Sequence, residues 1–343
     1  MNQKMSFRYN ANPIRSLAVL AIALDVTEYE LLRLSNRADD LYRKAKPIRK
    51  PDGSFRQPYD ALPQLKHVHR RIKERLLVNV HFPAYLTGSL PGKSPKANAS
   101  FHVGAKIVIC EDVQKFFPST RATLVHDIWM GFFGFSQDVA TILTKLTTRF
   151  GALPEGAITS SYLANLVFWR LEPGLHEQLS IRGIAYSRYV DDICVSSKEF
   201  LPDIDKSAAI SEIYTMLGRL AYTAKRKKHE IQTSGHQMFA TKLMVNRRVA
   251  IPHSERHNLK SAVFQLEGKF KHGARDVAFF EELSRTTNRV GRLGQFHMQE
   301  ATKLKERLKK LRMRLDSEPV VITPSVQTAA TIMSAAKAEA PWD

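Results

Sequence analysis

The sequence predicts an α+β protein built on an antiparallel sheet with helices on one face. Three observations predict it. Ile107-Val108-Ile109-Cys110-Glu111-Asp112 is an apolar, β-prone run that ends on a carboxylate and turns into a helix. Tyr186 to Ser197 reads as two β-prone segments joined at Asp191-Asp192, a hairpin. Helical patterns lie between the two and after the second, so the order is strand, helices, hairpin, helix.

The elements follow in chain order. Ser16 to Leu24, behind Lys4, Arg8 and Arg15, imitates the basic and apolar regions of a secretion signal, but it runs on into Thr27 and Glu30, which make a capping box. A packed N-terminal helix is the expectation. Lys46 to Arg56 reads as a basic hairpin with a Pro-Asp-Gly turn. Ala61 to Val80 has helical periodicity with a basic face that includes Lys66, His69, Arg70 and Arg71, suited to template phosphates or to water. Ser119 to Gly134, Ser136 to Phe150 and Ile158 to about Leu179 are predicted helices, and a fourth spans about Lys206 to Ala221. Met238 to Val249 reads as a further hairpin, and helices dominate from Ile251. Leu304, Leu308, Leu311 and Leu315 form one stripe of the last helix. Beyond Asp316 the Ala, Thr, Ser and Pro content suggests a flexible tail.

Composition narrows the class of partner. The 343 residues carry 52 Lys plus Arg against 33 Asp plus Glu, a formal charge of +19, which points to a polyanion and first to nucleic acid. No apolar stretch is long enough to span a bilayer, so no membrane partner is expected. The two cysteines, Cys110 and Cys194, fall inside candidate core strands and fit a cytoplasmic protein. The twelve histidines show no zinc-site spacing.

Adjacent carboxylates are costly to bury unless cations neutralise them, and hard cations such as Mg²⁺ prefer carboxylate oxygen. Taken singly, Asp191-Asp192 is more simply a solvated turn and Asp112 a helix N-cap. Three strings change that balance by occurring in order: Asp112-Val113-Gln114-Lys115-Phe116-Phe117-Pro118-Ser119, Leu153-Pro154-Glu155-Gly156-Ala157-Ile158-Thr159-Ser160, and Tyr189-Val190-Asp191-Asp192. Together they resemble polymerase motifs A, B and C of reverse transcriptases.

The resemblance implies a right-hand fold: N-terminal helix and fingers over 1–105, palm with inserted finger helices over 106–250, helical thumb over 251–316 and tail over 317–343. It implies RNA-directed DNA synthesis by two-metal phosphoryl transfer, with ions about 3.5–4 Å apart. Asp112, Asp191 and Asp192 would be catalytic, and Asp112, Val113, Asp191 and Asp192 would hold two Mg²⁺, with Mn²⁺ as a substitute. Lys50, Arg56, Phe117, Gly156 and Lys228 would meet the incoming dNTP, Phe117 as the ring that blocks a 2′-hydroxyl.

Asn98-Ala99-Ser100-Phe101-His102 resembles the Asn-Ala-x-x-His element of retron reverse transcriptases, as does the compact arrangement of roughly residues 15–315. That implies a structured non-coding RNA as template and primer, a branched RNA–DNA hybrid as product, and an effector protein in anti-phage defence. Asn98 and His102, with Lys305, Lys309 and Arg312 of the last helix, are the RNA-binding candidates. Two departures stand out: Ala240-Thr241-Lys242 where the family usually has Val-Thr-Gly, and Glu155 where it commonly has Gln. Defence-associated, diversity-generating and intron-like reverse transcriptases stay open, although an intron enzyme would be expected to add a maturase or endonuclease region. A non-catalytic RNA-binding protein would keep the basic surface without needing the three aspartates. A cyclase on a similar palm would replace Tyr-x-Asp-Asp by Gly-Gly-Asp/Glu.

Overall fold

The computed structural model describes residues 6–50 and 52–317. Strand β1 (Arg8–Tyr9) leads into α1 (Leu17–Leu24) and α2 (Glu28–Asn36). The capping box forms: Thr27 Oγ1 accepts from the Glu30 N–H at 3.1 Å, and a Glu30 carboxylate oxygen accepts from the Thr27 N–H at 3.0 Å. Leu20, Ala21 and Leu24 of α1 are buried, so the signal-like run belongs to a packed helix.

Next come β2 (Tyr42–Lys44), β3 (Ile48–Arg49), β4 (Phe55–Arg56) and β5 (Tyr59–Ala61). β3 pairs with β4 as the basic hairpin, inside the outer pair β2–β5. Helix α3 (Pro63–Arg75) stops short of Val80, and one of its four supposed basic-face residues is misplaced. His69 is fully buried, its Nε2 lying 2.7 Å from the Leu146 carbonyl, because it falls on the stripe of Leu65, Val68 and Ile72.

After β6 (Val80–His81) and α4 (Pro95–Ser100) come β7 (Ile107–Asp112), α5 (Phe116–Ser119), α6 (Ala122–Asp127), α7 (Gln137–Thr147), α8 (Ser160–Leu166) and α9 (Glu172–Ile181). The single helix expected over 158–179 is thus two. Pro173 at the start of α9 has no N–H to donate, and its ring would clash with the carbonyl four residues back. The expected helix over 119–134 is also shortened: Ser119 closes α5, and the rest is α6 followed by a π-helical turn over Ile128–Phe132.

Strands β8 (Ile184–Tyr189) and β9 (Asp192–Ser197), helix α10 (Asp203–Arg219) and β10 (Glu230–Thr233) complete a four-stranded antiparallel sheet in the order β10-β7-β9-β8. Short strands β11 (Phe239–Ala240) and β12 (Leu243–Met244) pair beside it. Helices α9 and α10 cover one face, where Glu172 meets Tyr186 and Arg188 and Tyr214 meets Glu111. The opposite face is covered too: Asn98 of α4 and neighbouring His102 bond to Ser187 and Ser196, and the Phe239 carbonyl reaches Cys110. Helices on a single face was therefore too simple, because the polar faces of β8 and β9 need partners as much as the apolar ones.

The chain divides into two compact units, Met1–Arg248 and Val249–Asp343. The second holds α11 (His253–Lys271), α12 (Val277–Gly294) and α13 (Met298–Ser317). Its interior includes Val263, Leu266, Leu283, Val290, Leu304, Leu308 and Leu311, which matches the leucine stripe except that Leu315 is only half-buried. The flexible tail expected over 317–343 falls, beyond Ser317, outside the described residues. Among the described residues no helix is long and apolar enough to cross a membrane.

Candidate active site

Antiparallel pairing brings the acidic strings together. β7 and β9 run in a register that sets Asp112 opposite Asp192, and the Val113 N–H donates to the Asp191 carbonyl at 2.9 Å. Asp191 occupies the turn between β8 and β9, whose other residue, Val190, is held at φ 59°. Burial and neighbouring negative charge oppose ionisation of Asp191 and Asp192. Burial, then the charge of Asp112, raises the pKa of Asp191, against the pull of a backbone hydrogen bond, Arg56 and Lys228. Burial, then Asp191 and Asp112, pushes Asp192 up to about 7. Such a set wants positive charge.

Lys228 supplies some of it. It forms an ion pair with Asp112, and although burial disfavours the ammonium, that bond and the field of the aspartates raise its pKa. Among the described residues no three acidic, histidine or cysteine side chains converge as a formed metal cage. The donor set itself fits a hard divalent cation: oxygen-rich, partly buried and under-compensated. Val113 is buried and apolar, so only its backbone carbonyl could join such a set.

Arg56 lies 3.4 Å from Glu155 and acts electrostatically on Asp191, while Lys50 acts on Glu155. The basic hairpin is therefore near the carboxylates, and Glu155 is the group its arginine now faces. Burial raises the Glu155 pKa, with Asp191 adding to it against Arg56 and Lys50. Gly156, at φ +97°, accepts a close approach that no side chain would allow: a Cβ there would lie 2.9 Å from the Tyr59 carbonyl oxygen. The Tyr59 N–H donates to the Glu155 carbonyl at 2.8 Å, tying this loop to β5. Phe117 is half-buried against Phe116, which is inside the core.

Two RNA-binding expectations require correction. Asn98 and His102 are 0% and 1% exposed and offer no side chain to a ligand. Asn98 Nδ2 donates to Thr87 Oγ1 at 2.8 Å and to Ser187 Oγ at 2.9 Å, and the His102 ring nitrogens lie 2.7 and 2.8 Å from Ser187 Oγ and Ser196 Oγ. Burial lowers the His102 pKa to about 4, so it is a neutral clamp across β8 and β9. In the second unit Lys305, Lys309 and Arg312 are all exposed; Arg312 also donates to Thr287 Oγ1 at 3.0 Å, and Arg307 of the same helix forks onto Glu267.

Sequence reasoning missed the residues that hold the Asp191 turn. Arg188 is fully buried, with Nε 2.6 Å and Nη2 2.8 Å from the two carboxylate oxygens of Glu172, itself fully buried and also accepting from Tyr186. Its remaining protons go to the carbonyls of Val190 and Asn165, both at 3.0 Å, and of Ala164 at 3.4 Å. One side chain thus joins α8, α9 and the acidic turn. Gly88 lies beneath that turn, where a Cβ would come within 2.4 Å of the Val190 nitrogen, and its carbonyl accepts from Asn165. The only signals available were a charged residue inside an apolar strand and a glycine in Leu86-Thr87-Gly88.

No protein-family model matches the chain. Individual proteins do. The retron Se72 reverse transcriptase of Salmonella heidelberg is 30% identical over 227 residues, 66% of this chain and 60% of that protein, so the match spans less than two thirds of that relative's length. The retron Ec48 reverse transcriptase of Escherichia coli is 28% identical over 315 residues, 88% of this chain and 77% of its own. The retron Mx65 reverse transcriptase of Myxococcus xanthus is 26% identical over 267 residues, 72% and 61%. The chain is a relative of the bacterial retron reverse transcriptases, similar to several of them over much of its length.

Proposed function

We propose that this protein is an RNA-directed DNA polymerase that copies a structured non-coding RNA, with residues 1–105 as N-terminal helix and fingers, 106–250 as palm with inserted finger helices and 251–316 as thumb. The observation that carries the reading is the register of β7 and β9, which sets Asp112 against Asp192 beside Asp191. Asp112, Asp191 and Asp192, with the Val113 carbonyl, would hold two Mg²⁺. When bound, those ions would neutralise the attacking and leaving oxygens of phosphoryl transfer.

The chain's own residues do the remainder. Lys228 holds Asp112 until substrate arrives and is then a cation for the triphosphate. Arg56 and Lys50 offer positive charge on the same side, and Arg56 must exchange Glu155 for phosphate oxygen. Phe117 excludes a 2′-hydroxyl, while Gly156 lets the loop approach β5. Lys305, Lys309 and Arg312 contribute backbone phosphate contacts. The product is a branched RNA–DNA hybrid within a defence system that includes an effector protein.

The test is primer extension on RNA by the full chain, with dNTPs or rNTPs and with Mg²⁺ or a chelator. Mg²⁺-dependent extension with dNTPs preferred is expected, with the preference weakened in Phe117→Val. Absence of templated synthesis on any RNA tested, structured or unstructured, would overturn the reading.

A further inference from the structure

Cys110 and Cys194 are the only cysteines in 343 residues, 84 positions apart, yet they are directly opposed in the β7–β9 register with their sulfurs 3.0 Å apart. A buried side chain touches about 6–12 others, so two residues placed without regard to each other would meet about 2–4% of the time in a chain this long. The backbone permits a bond. The Val113 N–H donates to the directly opposed Asp191, and the alternation of an antiparallel ladder then makes Cys110–Cys194 a non-hydrogen-bonded pair, whose Cα atoms are about 4.5 Å apart. That separation is within the range a disulfide spans, and the sulfurs need to close by only about 1 Å.

The placement is also functional. Side chains two residues apart on a strand share a face, so Cys110 and Cys194 adjoin Asp112 and Asp192 on one face of the sheet. We propose that Cys110 and Cys194 are a reversible oxidation site, closed to an intrachain disulfide by hydroperoxides, whose closure slows nucleotide addition.

Cys110 is the partly exposed member and Cys194 the buried one. Peroxide transfers one oxygen to the Cys110 thiol, giving a sulfenic acid and one water. The Cys194 sulfur then displaces that oxygen, which leaves as a second water with the Cys194 proton. The net change is two thiols and one hydrogen peroxide to one disulfide and two waters, and two equivalents of an added thiol reverse it. Most disulfides hold their Cα atoms about 5.5–6 Å apart, so closing this one pushes apart the strands that carry Asp112 and Asp192, and an ångström-scale misplacement of reacting groups can cost about 100-fold in rate.

The slowing rests on the polymerase reading; the bond does not. The experiment treats reduced full-length protein with hydrogen peroxide, alkylates the remaining thiols and takes intact mass, a non-reducing peptide map and primer-extension rate, each with and without dithiothreitol. Expected are a mass lower by two hydrogens, a Cys110–Cys194 cross-linked peptide within one chain, and extension slowed about tenfold or more and restored by dithiothreitol. Cys110→Ala, or Cys194→Ala should that variant fold poorly, keeps its rate through the same treatment. Two thiols still alkylatable, irreversible sulfinic acid at one of them, or a formed bond with unchanged extension would each overturn the proposal. A reduced parent that extends no primer counts against the polymerase reading instead, and the mass result still decides the bond.

Discussion

Replacing Glu172 by Gln keeps the shape of a fully buried side chain and removes its charge, leaving the Arg188 guanidinium in the core without a counter-ion. Breaking one partner of a buried pair costs about 3–5 kcal/mol. The pair belongs to the Met1–Arg248 unit, and for domains of that size 1 kcal/mol corresponds to about 2–4 °C, so melting should fall by about 6–20 °C. Arg188→Met should be as damaging, because Glu172 is then the unpaired charge. The double variant should cost less than the sum of the two, with a coupling of about 2 kcal/mol or more. Even so, it should not regain activity: the Val190, Asn165 and Ala164 carbonyls have lost their donor, and the Asp191 turn its anchor. Urea denaturation of the four proteins measures the cycle, and steady-state primer extension separates kcat from the KM for dNTP. The expectation is a lower kcat at nearly unchanged KM. Strictly additive stabilities, or a stable double variant with full kcat, would refute the idea that Arg188 supports the turn.

Gly88→Ala should displace the acidic turn, since the new Cβ would meet the backbone of Tyr189 and Val190; extension at parental rates would count against that contact. His102, whose pKa burial lowers to about 4, stays neutral in the folded state while its unfolded counterpart gains a proton below about pH 6.5. Its contribution is therefore intact above that pH and lost as pH falls toward 4. Asp192 acts with the opposite sign, so the informative quantity is the parent minus His102→Gln: the variant's stability should fall less steeply on acidification, by about 1.4 kcal/mol per pH unit, and identical slopes would refute the assignment. Thr241 and Lys242 occupy the β11–β12 turn at φ 48° and 63°. Since left-handed backbone costs a non-glycine residue about 1–2 kcal/mol, part of it offset by glycine's unfolded-state entropy, Lys242→Gly should gain about 0.5–1 kcal/mol in urea denaturation. A loss would show that the turn is unstrained.

The part of the site written in short strings was legible: Asp112 at a strand end, Asp191-Asp192 in a hairpin and Gly156 in a loop each announce themselves within a few residues. What supports them was not. Arg188 finds Glu172 sixteen positions earlier, and Gly88 meets Val190 across about a hundred, distances over which no periodicity speaks. Asn98 and His102 are RNA-binding candidates only through the resemblance of their string to a retron element, which carries no sign of burial; in the fold they satisfy serines on the inward side of β8 and β9. Cys110 and Cys194 were read correctly as strand residues; that they face each other depends on register, which is set by the whole sheet. The split of the 158–179 helix, by contrast, was readable at Pro173.

On the proposed reading the three aspartates serve chemistry and not RNA binding. Asp191→Asn, with Asp112→Asn beside it, should be measured on one preparation for two quantities: RNA affinity by titration and Mg²⁺-dependent primer extension. The prediction is affinity close to the parent's with extension reduced to background, because a metal ligand is lost and no phosphate contact is. Substantial extension by either variant would contradict the account.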